Sequence, residues 1–590
     1  MNLISRQNGI RVLLLAVVLV LLGHGLMAQS GGLVIEGGTL IDGTGAPPLQ
    51  NAVIVIQGNK IIAVGKKGTV SSPQGAQVIQ AAGKFILPGL IDAHVHFQPW
   101  TAELYLGHGV TSVVDLGSTE LTLGARDLIA SGQMRGPRIF PTVRAHNGRT
   151  NWMSDPDSWG GIASPEEARQ HLRELAGPGK PKYYLTKVYT ETPPDVLRAV
   201  TEESHEASRN VTGHLGLLDA RQAVEAGLDG VAHFTGIALA TMSDPAKAEE
   251  FRYFMRMGIA VDYPLYLAYH AFMDPVKVDQ LIPFLVQKNV RVQPEFVNIG
   301  RWALPHMREL YRGEDRRLLE DPNLTYVPFI GRARYFYTYD RILQLFGKEH
   351  LDQLVKGYAN VQSFVRKFVK AGGTILAGTD TTTRIVPGIS LQRELELLVE
   401  AGLTPMQAIQ AATKNNAEYI QVNEMGTVEP GKLADLIIIK GDPLADIHNT
   451  RTIDTVIQDG KVVDTSYHAD YSWPKEAGPP PGTDTGSHPN PRPILKAVIP
   501  MMAKGLNKEM KITVEGESFI VESVVEVDGI RIPTTPVQST RLPFMVFYPV
   551  YTQLEATIPG VLLNKPGTHK VNVRNPDPGG TSNVLGFYVE

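Results

Sequence analysis

The stretch Leu87-Pro88-Gly89-Leu90-Ile91-Asp92-Ala93-His94-Val95-His96 decides how the rest of the chain is read. A tight turn in front of an apolar run predicts a fully buried strand. Side chains two apart on a strand point to one side, so Asp92, His94 and His96 share a face. Two imidazoles projecting together, about 6 to 7 Å apart along the strand, make half a metal site. The competing reading is a pair of satisfied polar residues at a strand end. What decides between them is whether further ligand types stand at strand ends downstream.

On the amino-terminal side, residues 31–88 alternate short β-branched runs with glycine turns: Leu33–Ile35, Ala52–Ile56 and Lys60–Val64, with Gly58-Asn59 as a hairpin signal. So few strands cannot bury both faces alone. Residues 424–466 supply partners in Leu433–Ile439, Val456–Gln458 and Lys461–Val463, with Asp459-Gly460 as another turn. The simplest account is one small composite β-sandwich domain built from 31–88 and 424–466. Between these flanks, over 89–423, strands and amphipathic helices alternate. Strands are expected at 90–96, 110–115, 138–145, 183–190, 210–215, 230–234, 291–297 and 374–380, with helices such as 165–176 and 193–208 between them. Gly258–Leu267 competes with 291–297 for the seventh strand. This alternation predicts an α/β fold, a (β/α)8 TIM barrel with insertions. Thr404 caps a helix that has Pro405 at its first position.

The two ends differ from this centre. Arg6 and Arg11 precede an apolar run from Val12 to Leu22, and Leu26-Met27-Ala28 offers a small residue for cleavage. Residues 1–28 are therefore expected to be a signal peptide, giving an exported, periplasmic or secreted protein with no stable membrane span once it is removed. The run is short for an uncleaved bilayer anchor. Residues 467–493 carry Pro474, Pro479 to Pro481, Pro489, Pro491 and Pro493, and predict a semi-extended linker. Residues 494–590 have the short-strand spacing of an all-β sandwich. Through Val514-Glu515-Gly516-Glu517-Ser518-Phe519 and Asn575–Asn583 this module resembles the immunoglobulin-like IPT/TIG domains. The resemblance implies a binding or spacing role, such as surface or carbohydrate contact.

Composition narrows the chemistry. A chain of 590 residues is expected to form two or three domains, and 43% hydrophobic with 20% charged residues describes a globular protein. A formal charge of −4 argues against nucleic acid as the main partner. There is no cysteine, which excludes disulfides, thiolate ligands and cysteine nucleophiles. Any metal must be held by nitrogen and oxygen.

Barrel enzymes place their sites at the carboxyl ends of the strands. Those ends carry His94 and His96, then Lys187, His214, His233 and Asp380. Each alone has a bland explanation: a satisfied histidine, a snorkelling lysine, a helix cap. Four histidines and an acid at strand ends 1, 5, 6 and 8, with a lysine at strand end 4, are poorly explained by chance. With Ile86–His96, Glu400-Ala401-Gly402-Leu403-Thr404-Pro405 and Gly431–Leu436, the chain resembles the metal-dependent amidohydrolases over roughly residues 31–466. The branch is the one related to imidazolonepropionase and the prolidase-like dipeptidases.

The resemblance implies two divalent metal ions, zinc first with manganese, cobalt or iron as alternatives. His94, His96 and Asp380 would hold one, His214 and His233 the other, and Lys187 would bridge them as a carbamate. It implies hydrolysis of a C–N amide bond in a peptide-like or N-acyl amino acid substrate by water activated at the metals, with Asp380 as the catalytic proton carrier. Deaminases of this fold usually carry Glu three residues after the fifth-strand histidine, where this chain has Leu217. Dipeptidase relatives often carry Tyr two residues after it, where this chain has Gly216. Cyclic-amide hydrolysis, lactone hydrolysis and a non-catalytic binding protein are the alternatives. For substrate contact the candidates are His146, Arg144, Arg384 and Tyr189. Against these stand a loop hydrogen bond for His146, surface ion pairs for the arginines and core packing for Tyr189. The stretch 298–372, with Trp302, Tyr311, Tyr326, Phe329, Tyr335, Phe336 and Tyr337, is either an aromatic lid or an insert with its own core.

Overall fold

A computed structural model describes residues 32–146, 162, 164–256, 263–327, 348–381, 385–474, 476, 492–504, 506–520, 522–537, 551–576 and 580–590. Residues 1–28, expected as a signal peptide, lie outside this set. Among the described residues no helix is long and apolar enough to cross a membrane.

The flanks of the chain meet in one sheet. Its strands run in the order Lys461–Val463, Ile453–Gln458, Leu436–Ile439, Phe85–Pro88, Leu33–Leu40, Leu49–Gln57 and Lys60–Lys66, with Gln77–Gln80 also paired to Leu33–Leu40. The seam between the flanks is antiparallel, Leu436 opposite Pro88 and Ile439 opposite Phe85. Ile35, Ile54, Ile86, Leu436 and Ile438 share one core, so neither flank buries its apolar face without the other. Asp459-Gly460 forms the expected tight turn, with φ of 49° and 72°, the mirror-image geometry that suits the twist of a hairpin.

From Pro88 the chain passes directly into an eight-stranded parallel sheet. The strands are Leu90–Val95, Val110–Asp115, Arg138–His146, Leu185–Val188, Asn210–Gly213, Gly230–Ala232, Arg291–Gln293 and Thr374–Ile375, each beside the next. Gly89 at the junction packs so tightly that a Cβ there would stand 2.3 Å from Thr111 Oγ1. The two ends of the sheet meet as well. Ala93 N donates to Ala377 O at 3.1 Å, Asp380 N donates to His94 O at 2.8 Å, and Val95 forms a parallel bridge with Thr381. The sheet thus curls into a TIM-barrel-like core, with helices such as Pro165–Leu175, Pro194–Glu206 and Lys348–Lys370 between strands.

Two differences from the sequence expectation have physical causes. The later strands are shorter than expected, because the chain leaves the extended conformation just where polar groups are presented. His233, Glu295 and Asp380 have φ of 55°, 52° and 58°, left-handed values that L-residues avoid and that cluster at functional sites. The seventh strand falls within the expected 291–297, as Arg291–Gln293, and Tyr263–Tyr269, which overlaps the competing stretch, is helical. Finally, the start of the proline-rich segment is packed and is not a free linker. Tyr471 and Trp473 are buried against the barrel core, and Tyr471 OH donates to Arg135 O at 3.1 Å. Large aromatic side chains bury much apolar area, which docks this stretch on the barrel.

In the long insert, Trp302, Tyr311 and Tyr326 are buried in the main barrel core; Phe329, Tyr335, Phe336 and Tyr337 lie outside the described residues. The carboxyl-terminal residues form two further sheets. Leu495, Val514 and Leu554 from one, and Val525, Val573 and Phe587 from the other, share a core of their own, as in a β-sandwich.

Candidate metal centre

Six side chains from five strand ends meet at the carboxyl end of the barrel. His94 leaves the first strand fully buried, and its ring centroid lies 5.6 Å from that of His96 and 4.6 Å from that of His233. His233 is in turn 4.3 Å from His214. Asp380 Oδ1 lies 3.0 Å from His96 Nε2 and 3.5 Å from His94 Nε2. Lys187, fully buried, places Nζ 5.5 Å from the centre of the Tyr189 ring, and that ring stacks on His214 at 5.4 Å.

Supporting groups fix this arrangement. Thr379 donates from N and from Oγ1 to Asp92 at 3.1 and 2.6 Å, which pins the turn carrying Asp380 to the first strand. Asn298 Nδ2 donates to Asp380 Oδ2 at 3.2 Å. His214 Nε2 lies 3.2 Å from the hydroxyl of Tyr266. The group that sequence reasoning missed is Glu295, just past the seventh strand. One of its oxygens is 2.6 Å from His94 Nδ1 and the other meets His233 Nδ1. A single buried carboxylate therefore orients two imidazoles, as carboxylates behind metal-ligating histidines do. Little in the sequence marks it: it follows the alternating stretch Val290-Arg291-Val292-Gln293-Pro294, with no apolar run ending at the acid.

Electrostatics favour the ligand forms of these groups. Burial, reinforced by the Lys187 cation, holds His94 well below the usual histidine range and His214 down to about 3. Burial and the neighbouring His214 and Lys187 do the same to His233. All three are neutral near pH 7, the state in which imidazole binds a metal. Burial lowers Lys187 to about 8, against the pull of Glu295 and Asp380. Burial raises Glu295 well above the carboxylate range, with Asp380 adding to the shift, and the two Nδ1–H groups it faces favour the ionised form in return.

Among the described residues, two groups of ligand atoms could hold a cation: His94, His96 and Asp380, and His94, His233 and Glu295. In the second, Glu295 already accepts from both Nδ1 atoms, which leaves each Nε2 for other use. The test of fit lies in atoms without partners. His94 Nε2 and Lys187 Nζ are buried with no hydrogen-bond partner among the described residues. Buried polar groups are rarely left so, and two at one spot, ringed by neutral histidines and an acid, fit cations with nitrogen and oxygen ligands.

The other candidates fall differently. Tyr189 is at the site, its hydroxyl held above the normal tyrosine range by burial. Arg144 and His146 belong to the third strand, where His146 pairs with Val188 through the backbone, but their side chains are outside the description. Arg384 lies outside the described residues altogether.

Comparison with known proteins agrees with this geometry. Residues 335–463 match the amidohydrolase family. The chain is 23% identical over 461 residues to an adenine deaminase of Clostridium botulinum, covering 75% of this chain and 60% of that protein. It thus spans about three fifths of the length of the curated relatives it matches. Among solved structures, a Xaa-Pro dipeptidase shares 22% identity at a TM-score of 0.51, over 73% of this chain and 100% of that one. The ochratoxinase of A. niger shares 19% identity at 0.52, over 75% and 99%. At these identities the structures speak to the fold, which is amidohydrolase-like. Members of the family matched over residues 335–463 are generally metal-dependent.

Proposed function

We propose that this chain is an exported hydrolase that cleaves a C–N amide bond in a small peptide-like or N-acyl amino acid substrate with the help of two divalent cations. The observation that carries the proposal is the convergence of His94, His96, Lys187, His214, His233 and Asp380, with His94 Nε2 and Lys187 Nζ buried and making no hydrogen bond among the described residues. His94, His96 and Asp380 would hold one cation and His214 and His233 the other. Lys187 would join them after carbamylation, which requires the neutral amine that burial brings within reach near pH 8. Zinc suits the ligand set best. When bound, the cations supply Lewis acidity at the scissile carbonyl and acidify water.

The protein's own groups do the rest. Asp380 Oδ1, facing two imidazoles while Asn298 holds Oδ2, accepts the proton of the attacking water and returns it to the leaving nitrogen. Glu295 keeps the Nδ1–H of His94 and of His233 turned away from the reacting face. The Tyr189 ring, stacked on His214, walls the site on the Lys187 side.

A second reading follows from the similarity to an adenine deaminase: hydrolysis of an exocyclic C–N bond on a heterocycle. A screen of dipeptides, N-acyl amino acids, cyclic amides, lactones and adenine, with metal content measured on the same sample, separates the alternatives. Turnover of an amide substrate with near two metals per chain is expected. Turnover of adenine alone would move the assignment to deamination, and absence of both metal and turnover would leave only a binding role.

A further inference from the structure

The helix Tyr263–Tyr269, which follows the sixth strand, sends one buried side chain to the metal centre. Tyr266 is 2% exposed; its hydroxyl lies 3.2 Å from His214 Nε2 and donates to Leu215 O at 3.5 Å. That acceptor is itself held, since Leu215 N donates to Thr235 Oγ1 at 2.7 Å. The Tyr266 ring packs among Leu239, Met242 and Phe251. Just past the helix, buried His270 lies between two carbonyls: its Nδ1 is 2.6 Å from Tyr266 O and its Nε2 3.0 Å from Phe234 O. Phe234 follows His233, so the helix that carries Tyr266 is set against the turn that presents His233.

A neutral imidazole has one N–H and one bare nitrogen, and the bare nitrogen is the one that can hold a cation. At His94 and His233 Glu295 makes the choice, facing both Nδ1 atoms and leaving each Nε2. At His214 the group facing a ring nitrogen is the Tyr266 hydroxyl, and it faces Nε2. A phenol carries a single proton. With that proton given to Leu215 O, the phenol oxygen accepts from Nε2–H and His214 keeps Nδ1 bare. Were it given to Nε2, the ring's own proton would sit on Nδ1 and no nitrogen would be left for a cation. His214 is otherwise confined by the Tyr189 ring at 5.4 Å, the His233 ring at 4.3 Å and the bond from its backbone N to Val188 O at 3.0 Å. A half-turn of the ring and the place of its proton remain, and one hydroxyl can fix both.

We propose that Tyr266 is a positioning residue of the metal centre: it holds the His214 proton on Nε2, gives its own to Leu215 O, and so selects Nδ1 as the nitrogen offered to the second cation. The inference rests on the two-cation reading proposed above.

Tyr266→Phe in the full chain, loaded with zinc or with cobalt, tests it. Phenylalanine keeps the ring and its packing and removes only the hydroxyl. One of the two cations should leave at a chelator concentration about 10–100-fold lower than in the native chain, the other at the native concentration, and the visible absorption of the cobalt form should change. Tyr269→Phe removes a hydroxyl from the same helix, on a ring that packs against Phe251 and Phe272, and should match the native chain in both readouts. Native release of both cations and a native cobalt spectrum in Tyr266→Phe would overturn the role of Tyr266 and leave the two-cation reading intact. Equal metal loss in the two variants would also overturn it, tracing the effect to the packing of the helix. A native chain that binds no metal would instead remove the two-cation reading, and this inference with it.

Discussion

Arg393 and Asp315 lie as deep in this protein as Lys187 and Asp380, yet the two clusters handle charge in opposite ways. Arg393 donates to Asp315 at 2.7 Å and to Glu314 at 2.7 and 3.0 Å, and packs over the Tyr311 ring. Arg451 joins Glu314 to Glu396, and Arg301 takes the other oxygen of Asp315 at 3.2 Å. The Arg393 guanidinium thus has carboxylate partners on two sides. Such a network ties the insert helix Pro305–Leu319 to the helix Ile389–Glu400. At the barrel mouth, Lys187 Nζ and His94 Nε2 are equally buried and make no hydrogen bond among the described residues, with Asp380 Oδ1 standing off His94 Nε2 at 3.5 Å. A cluster whose buried charges are paired with carboxylates holds structure together, whereas one that gathers neutral imidazoles, a lysine and an acid at one spot suits a cation.

The largest effect that would sharpen this contrast is on the unsatisfied side. Lys187→Ala and Asp380→Asn should each lower turnover by about a thousandfold or more, with bound metal falling in parallel by elemental analysis. The melting temperature of metal-stripped Lys187→Ala should hold or rise, since an unpartnered buried cation is gone. Activity surviving in both variants would remove the site from the reaction.

On the satisfied side the next effect is on stability. Asp315→Ala strands Arg393 and Arg301 without their shared carboxylate, and breaking a buried pair from one side costs about 3–5 kcal/mol. Urea unfolding should show that loss, while metal bound per folded chain stays unchanged. An Asp315→Ala chain of native stability but depleted in metal would erase the distinction between the clusters.

How much of this could be read beforehand depends on the range of the interactions. Strand-end histidines announce themselves, because a polar residue ending an apolar run is a local signal, and the structure brings His94, His96, His214 and His233 together. The composite sheet was legible for a related reason: Leu33–Leu40 and Leu436–Ile439 are each too apolar to stand alone. Glu295 was not legible as a site residue, since its role comes from two histidines 62 and 201 positions away. The packed start of the proline-rich segment was hidden likewise, because Tyr471 finds its partners at Pro99 and Arg135, far back in the chain, and Trp473 packs beside Tyr471. The Arg393 network, spanning 78 and 79 positions to its acids, left no pattern in the sequence at all.

Glu295 belongs to neither cluster cleanly, and it offers the finest test of the contrast. It is fully satisfied, like Asp315, but its partners are themselves groups of the unsatisfied centre. A carboxylate has two acceptor oxygens and so can take an Nδ1–H from both His94 and His233. Glutamine keeps the shape but has one acceptor and one donor, so one imidazole loses its partner or turns over. Glu295→Gln should therefore weaken metal binding by about 10–100-fold in a chelator competition, a smaller loss than either preceding variant causes. If Glu295 were only another structural acid, the same substitution would lower stability and leave the metal affinity of the folded chain where it was. Measuring both quantities on one variant decides which side of the comparison this carboxylate serves.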